Sequence, residues 1–312
     1  MDFRQIQYFV AACEEGSLSA AAGRLNCTAS GISQQMSALE ARLGTGLLER
    51  TRRGVTPTPA GRRFYDRCLA ILKAVSEAQV ELEDFAAGLN GAVSAGFAPG
   101  LAKAVLPQAL ARYVREYPGV DVDIASGPAD SLLAETAGGA LHFYVGQFAQ
   151  PQIGLTAQPI GRFPVALVSG ARRGLMPMKP VRLDRIGPLR LSMPSAANSL
   201  RPKLEEAIRN GEIKVERTMA NASLSAGLEF IAQTDWSTIL PCWICPKELG
   251  NERLTVNPIT APALSVEVAL IHPTRQPLSR PARQLYACFE QELRRAAEEW
   301  RRIMSDVLST NE

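Results

Sequence analysis

Ile6, Phe9, Val10 and Cys13 recur at i, i+3, i+4 and i+7, and Gly16 follows them. That spacing lays one apolar stripe along a helix, and glycine is the residue that most readily ends one. Ser17 or Ser19 can cap a short second helix running through Ala20, Ala21 and Ala22 to Leu25. The adjacent alanines let another helix pack close. Asn26 and Cys27 supply a turn and Thr28 an N-cap. Ile32, Met36, Leu39 and Leu43 then form the buried face of a third helix that stops at Gly44. Helix, tight turn, helix confines this segment to a small helical core.

The same arrangement can lay the second helix of the pair in a DNA major groove. Its outward side carries Thr28, Ala29, Ser30, Ser33, Gln34 and Gln35. Gln can bond an adenine edge in bidentate fashion, and Ser can bond bases or phosphates. Arg50, Arg52 and Arg53 cluster around Gly54, ahead of Thr56 and Thr58. An arginine-bearing hairpin beside such a helix is what a wing needs in order to hold phosphates or enter a minor groove. A three-helix core with a solvated polar face and a basic turn fits the same residues.

The run GSLSAAAGRLNCTASGISQQMSALEARLGTGLLERTRRGVTPTPAG resembles the N-terminal signature of LysR-type transcriptional regulators. The GSLSAAA segment, Ser33, Leu39-Glu40, Leu43-Gly44, Arg50 and Thr58-Pro59-Ala60-Gly61 fall in that family's order and spacing. The resemblance extends over nearly the whole chain. It implies a winged helix-turn-helix head over residues 1–62, a dimerising linker helix over 63–90 and an effector-binding region over 91–312. Ala29 stands where the family usually has Gln, and Gln34 where it often has a basic residue. Docking mode therefore carries over from the resemblance; operator sequence does not.

From Arg62 to Leu89 the chain has no proline, and no glycine before Gly88, which predicts a long helix. Tyr65, Cys68, Leu72, Val75, Gln79, Leu82, Ala86 and Leu89 alternate steps of three and four. Sustained for about three heptads, that is a coiled-coil seam and predicts a second copy of the chain as partner. A helix packed on its own chain's core fits the stripe too. Two tethered heads gain effective concentration on paired half-sites, so a pseudo-palindromic stretch of double-stranded DNA is the expected target.

After Gly91 strand-like and helical runs alternate: Val93 to Phe97, a helix through Leu101 to Tyr117, Val120 to Ala125, Leu132 to Ala137 and Leu141 to Val145. A second set runs from Val165 through a helix at Arg201 to Asn210, a late strand at Val266 to Ile271 and a closing helix at Gln284 to Trp300. The pattern predicts an α/β fold with mostly parallel strands. The resemblance implies two α/β subdomains like those of periplasmic solute-binding proteins, one formed by 91–161 and 265–300 and the other by 162–264. The crossings then fall near Gly161 and Leu264, and a small-molecule effector binds between the subdomains.

Mapped onto this chain, the expected lining is Pro99, Gly100, Gln147, Ser195, Asn198, Ser199, Asn221, Ser223 and Asp235. Helix N-termini there would suit an anionic metabolite. Ser195 and Ser199 serve equally well as plain caps. Relatives often carry Gly-x-Gly where this chain has Thr234-Asp235-Trp236, so Trp236 is expected to reshape the cleft and Asp235 to discourage an anion.

At 312 residues the chain suits a small domain plus a larger one. A net charge of +3 confines any basic footprint to a local patch. The opening MDFRQIQYFV lacks the apolar core of a secretory signal, and no stretch is long enough to span a bilayer, so a cytoplasmic chain without membrane contact is expected. His142 and His272 have no metal-ligand neighbours at short spacing, and neither a phosphate-cradling glycine loop nor a nucleophile elbow is present. No enzyme, cofactor or metal site is predicted.

Six cysteines spread over the chain fit reduced thiols. The Cys242-Trp243-Ile244-Cys245 pair leaves a thiol-based redox regulator as one alternative. A solute-binding module without a regulatory role is the other. The resemblance further implies dimers or tetramers, and RNA polymerase among the partners.

Overall fold

The computed structural model describes residues 1–51, 54–86, 90–147, 153–196, 198–221 and 223–310. Helix α1 (Phe3–Glu15) opens with a capping box: Asp2 accepts the Gln5 backbone N–H at 2.8 Å, and the Gln5 side chain accepts the N–H of Asp2. It closes at Gly16 with φ 61°. Ser17 caps α2 (Leu18–Arg24), and Thr28 caps α3 (Ala29–Leu43) by accepting from Gly31 N. Phe9, Ala21, Ile32, Met36 and Leu39 meet in one core. Leu43, predicted for that buried face, is 43% exposed, because α3 runs out past the core at its last turn.

Strands β1 (Leu48–Thr51) and β2 (Gly54–Pro57) pair antiparallel as the predicted hairpin; Arg52 and Arg53 at its tip lie outside the described residues. Gly54 is irreplaceable by shape. Its φ is +131°, and a Cβ there would stand 2.1 Å from the Gly16 carbonyl oxygen, which accepts from Val55 N at 2.8 Å.

Thr58 caps α4 (Pro59–Ala86), the long proline-free helix. Its first half does not follow the predicted seam. Cys68 and Leu72 are buried in the head's own core, and the Tyr65 hydroxyl donates to Glu14 at 3.1 Å. These three positions answer to the chain itself, because α4 must also roof α1. Farther along, Ile71, Val75, Ala78 and Leu82 stay exposed at steps of four, three and four, with Leu82 71% exposed. The exposed stripe shares Val75 and Leu82 with the predicted one and replaces Leu72 and Gln79 by Ile71 and Ala78. Gln79 is exposed beside it; the Ala86 side chain and Leu89 fall outside what is described.

The remainder is mixed α/β. Its elements are β3 (Gly91–Phe97), α5 (Pro99–Ala104), α6 (Leu106–Glu116), β4 (Val120–Ser126), α7 (Ala129–Gly138), β5 (Phe143–Gln147), β6 (Leu155–Gly170), β7 (Val181–Arg182), β8 (Leu189–Met193), α8 (Leu200–Arg209), β9 (Val215–Ala220), α9 (Leu224–Ala232), β10 (Ser237–Pro241), α10 (Cys245–Glu248), β11 (Leu254–Ala261), β12 (Ser265–Pro273) and α11 (Arg280–Thr310). The predicted helix from Leu101 to Tyr117 is two, because Pro107 suits only the first turn of a new helix.

The strand order is β4-β3-β5-β12-β6-β10-β8-β9, with β11 also on β6. Pairs among β3, β4 and β5 and among β8, β9 and β10 are parallel, whereas β12 and β6 run antiparallel to their neighbours. The sheet is therefore mixed rather than mostly parallel. Strand β6 belongs to both halves: it pairs with β12 through Pro164 and with β10 from Val165 onward.

One buried carboxylate joins the head to this α/β body. Glu14, on α1, accepts from Arg24 at 2.6 Å, from Tyr65 of α4 and from Arg275 of the loop after β12. Its side chain is 5% exposed. The other Arg275 nitrogen donates to the Ala137 carbonyl at the end of α7. Burial pulls the Arg275 pKa down and Glu14 pushes it back up. Stripping the charge with Glu14→Gln leaves Arg275 without its carboxylate and Arg24 with Glu15 alone, so denaturant unfolding is expected to lose about 3 kcal/mol. A midpoint equal to wild type would show that the node does not tie the parts together.

Candidate functional site

Two places on the molecule gather unspent polar groups. The first is the outer side of α3. Thr28, Ser30, Gln34 and Gln35 are exposed there, with Ala29 and Ser33 half-buried. Arg50 reaches over from β1 and donates to the Ser33 hydroxyl at 3.1 Å, so the hairpin lies against the helix face. Gln35 is tied back through Gln5 Nε2, leaving Gln34 as the untethered amide of the pair. Since Ile32, Met36 and Leu39 fix the helix from below, this face is rigid and presents neutral hydrogen-bonding groups beside a cation.

The second is a cavity of about 430 Å³ where the ends of β3, β5, β8, β9 and β10 converge. Pro99, Gly100, Gln147, Ser195, Asn198, Asn221 and Ser223 line it, as predicted from sequence. Several of these serve the backbone as well. Ser223 accepts from Ala226 N, Asn221 from Ser223 N and Asn198 from Leu200 N. Ser199 stands behind the wall and donates to Gln147 Oε1 at 2.9 Å.

Asp235 is not part of the cleft. It pairs with Arg190 on the surface at 3.1 Å, and Trp236 stacks edge-on against Phe230 instead of reshaping the pocket. Turn residues between α9 and β10 point away from the strand ends, which explains both misplacements. Sequence reasoning missed Tyr144, Leu240, Trp243 and Ile244, which supply much of the wall. The clue was available: Trp243 and Ile244 directly follow a strand end, where such folds bind ligands. Gly146 is forced by the first of these, since a Cβ there would lie 1.9 Å from the Tyr144 hydroxyl.

No Lys, Arg, His, Asp or Glu occurs among the described lining residues, so the expectation of an anionic effector loses its electrostatic support. Nor does the cysteine pair have the exposure of a reactive thiol. Cys242 and Cys245 are fully buried, and burial pushes the Cys242 thiol up to about 12 and Cys245 well above its ordinary value. His142 accepts the Ser94 backbone N–H at 2.9 Å, a structural bond.

Residues 3–62 match the family model described as bacterial regulatory helix-turn-helix protein, lysR family, and residues 86–294 match the LysR substrate binding domain. The chain belongs to the LysR family. It is a LysR-type DNA-binding transcription regulator with an effector-binding domain. The nitrogen assimilation regulatory protein nac of Escherichia coli K12 is 30% identical over 283 residues, covering 90% of this chain and 92% of that protein.

Among solved structures, CbnR, a LysR family transcriptional regulator, superimposes with a TM-score of 0.54 at 22% identity, covering 93% of this chain and all of CbnR. A peroxide-bound OxyR variant from Corynebacterium glutamicum gives 0.57 at 23%, over 99% of this chain and 97% of that one. At such identities the likeness speaks for the fold alone.

Burial sets Cys242 and Cys245 apart from reactive thiols. It pushes the Cys242 thiol up to about 12, and only the thiolate attacks. Ellman titration of the folded protein should therefore leave Cys242 and Cys245 unlabelled through pH 9, with labelling only after denaturation. Native-state modification of either residue at the rate of the half-buried Cys27 would contradict this.

Proposed function

We propose that the regulator reads its operator through Thr28, Ala29, Ser30, Ser33, Gln34 and Gln35 of α3, with Arg50 and the hairpin-tip residues Arg52 and Arg53 on phosphates. The observation carrying this reading is the exposed neutral face of α3 with Arg50 hydrogen-bonded along its side. Gln34 has the donor and acceptor for an adenine edge, and the Ala29 methyl can touch a thymine methyl. The head spans 1–62, the linker 63–90 and the ligand-responsive part 91–312. The protein acts in the cytoplasm and carries out no catalysis of its own.

Two copies pair along α4. The exposed stripe Ile71, Val75, Ala78 and Leu82 supports this, since it continues the heptad spacing beyond the part that the head covers. Paired heads then meet a pseudo-palindromic site. Replacing Leu82 with Asp puts a charge on the stripe. Sedimentation at micromolar protein should then show monomers, and operator affinity should fall about a hundredfold as avidity is lost. A Leu82→Asp protein that stays dimeric would move the interface elsewhere.

A gel shift on the gene's own upstream region tests the reading face. Ser33→Ala and Gln34→Ala should each cost about tenfold on the preferred sequence and little on unrelated DNA. Arg50→Ala should weaken both alike and reduce the salt slope by about one. Absence of any sequence preference in the unaltered protein would instead favour a solute-binding module without a regulatory role.

A further inference from the structure

Trp243 is 3% exposed, and its indole Nε1 is buried without a hydrogen-bond partner. Phe163 holds the ring edge-on, with centroids 5.0 Å apart at 87°. The N–H edge borders the cleft beside Gly100: a Cβ on that glycine would stand 3.8 Å from Nε1. A buried donor with no acceptor is costly to keep, and here it borders a cavity able to supply one.

Three amides of the wall have the same polarity. The amide oxygens of Gln147, Asn198 and Asn221 are already engaged by Ser199 Oγ, Leu200 N and Ser223 N, which leaves their N–H₂ groups to a ligand. The cleft thus offers donors and few acceptors, set among apolar side chains such as Leu224, Leu228 and Ile239. An anion would meet donors here, but no cation among the described lining residues. Several of the helix-start N–H groups that might replace one are taken. Leu200 N and Arg201 N go to Asn198, Ala226 N and Gly227 N to Ser223, and Leu101 N to the Ala98 carbonyl. A full charge transferred there would lose its hydration without an ionic partner.

We infer that the cleft takes an uncharged, largely apolar carbonyl compound, such as an ester, ketone, lactone or quinone, whose oxygen accepts from Trp243 Nε1. The volume of about 430 Å³ suits a compact ligand of one or two rings. This deepens the effector-binding reading by naming the ligand's chemistry, and it rests on that reading.

The test uses the full chain and three size-matched probes: methyl benzoate, benzoate and ethylbenzene. Thermal shift and calorimetry should rank methyl benzoate first, ethylbenzene second and benzoate last. Trp243→Phe keeps the ring and removes the donor. It should weaken methyl benzoate roughly fivefold, the effect of one neutral hydrogen bond, and leave ethylbenzene unchanged. Gly100→Val, which drives a side chain towards Ile244 and Trp243, should abolish both.

Benzoate binding as well as the ester, failure of all three probes to bind, or an unchanged ester affinity in Trp243→Phe would each overturn the inference. Gel shifts of each variant without probe report folding of the head. If the unaltered protein binds no DNA, the regulator reading fails on its own, whatever order the probes take.

Discussion

The Glu14 carboxylate is shared by two guanidiniums and a phenol that come from three separate stretches of chain. Arg24 arrives on α2, Tyr65 on α4 and Arg275 from the loop beyond β12. A charge this buried tolerates few arrangements, because its lost hydration must be replaced by donors at short range. The head cannot swing from the α/β body without exposing Arg275 or stranding Glu14. Even the backbone defers to it: Gly154 has φ +85°, and a Cβ there would come within 2.7 Å of the Glu14 side chain. Tyr65 is drawn off the dimer stripe for the same reason, and its phenol is pushed above its ordinary pKa by burial and by Glu14.

A second constraint shapes the cleft. Strand β6 is long enough to serve both sheets, and it exchanges partners between Pro164 and Val165. Cys242 N donates to the Pro164 carbonyl at that point of exchange, which anchors the start of the segment bearing Trp243. The CxxC pair therefore has a packing role. Its two cysteines fill the core below while the residues between them form wall, and a small apolar side chain with no need of a partner suits that duty.

What could be read from the sequence was local. Caps and stops at Gly16, Ser17, Thr28 and Gly44 depend on residues three or four positions away, and the stripe of α1 on one helical period. The length of α4 followed from the lack of helix breakers. The register of its exposed stripe did not, because Cys68 and Leu72 are claimed by α1, a partner far off in sequence. Seven of the nine expected cleft residues line the cavity, since loops after strand ends were identifiable. Asp235 failed because its position depends on Arg190, and Trp243 was passed over because its cysteine neighbours invited a redox reading. Glu14 left no trace in periodicity: its partners meet only in three dimensions.

The two constraints share one element. Helix α7 has Pro128 and Ala129 at the cleft and the Ala137 carbonyl on Arg275, whose other nitrogen holds Glu14. Ten hydrogen-bonded residues span about 15 Å and move as a unit. A ligand alters the head only to the extent that it binds two placements of the body unequally. Helix α7 thus joins the cleft wall at Pro128 to the Arg275 side of the Glu14 cluster. It also packs on β5 and β12 through Leu132, Leu133, Tyr144 and Ile271. The side chains that set ligand fit and the bonds that hold the reading head are thereby loaded on opposite ends of the same helix.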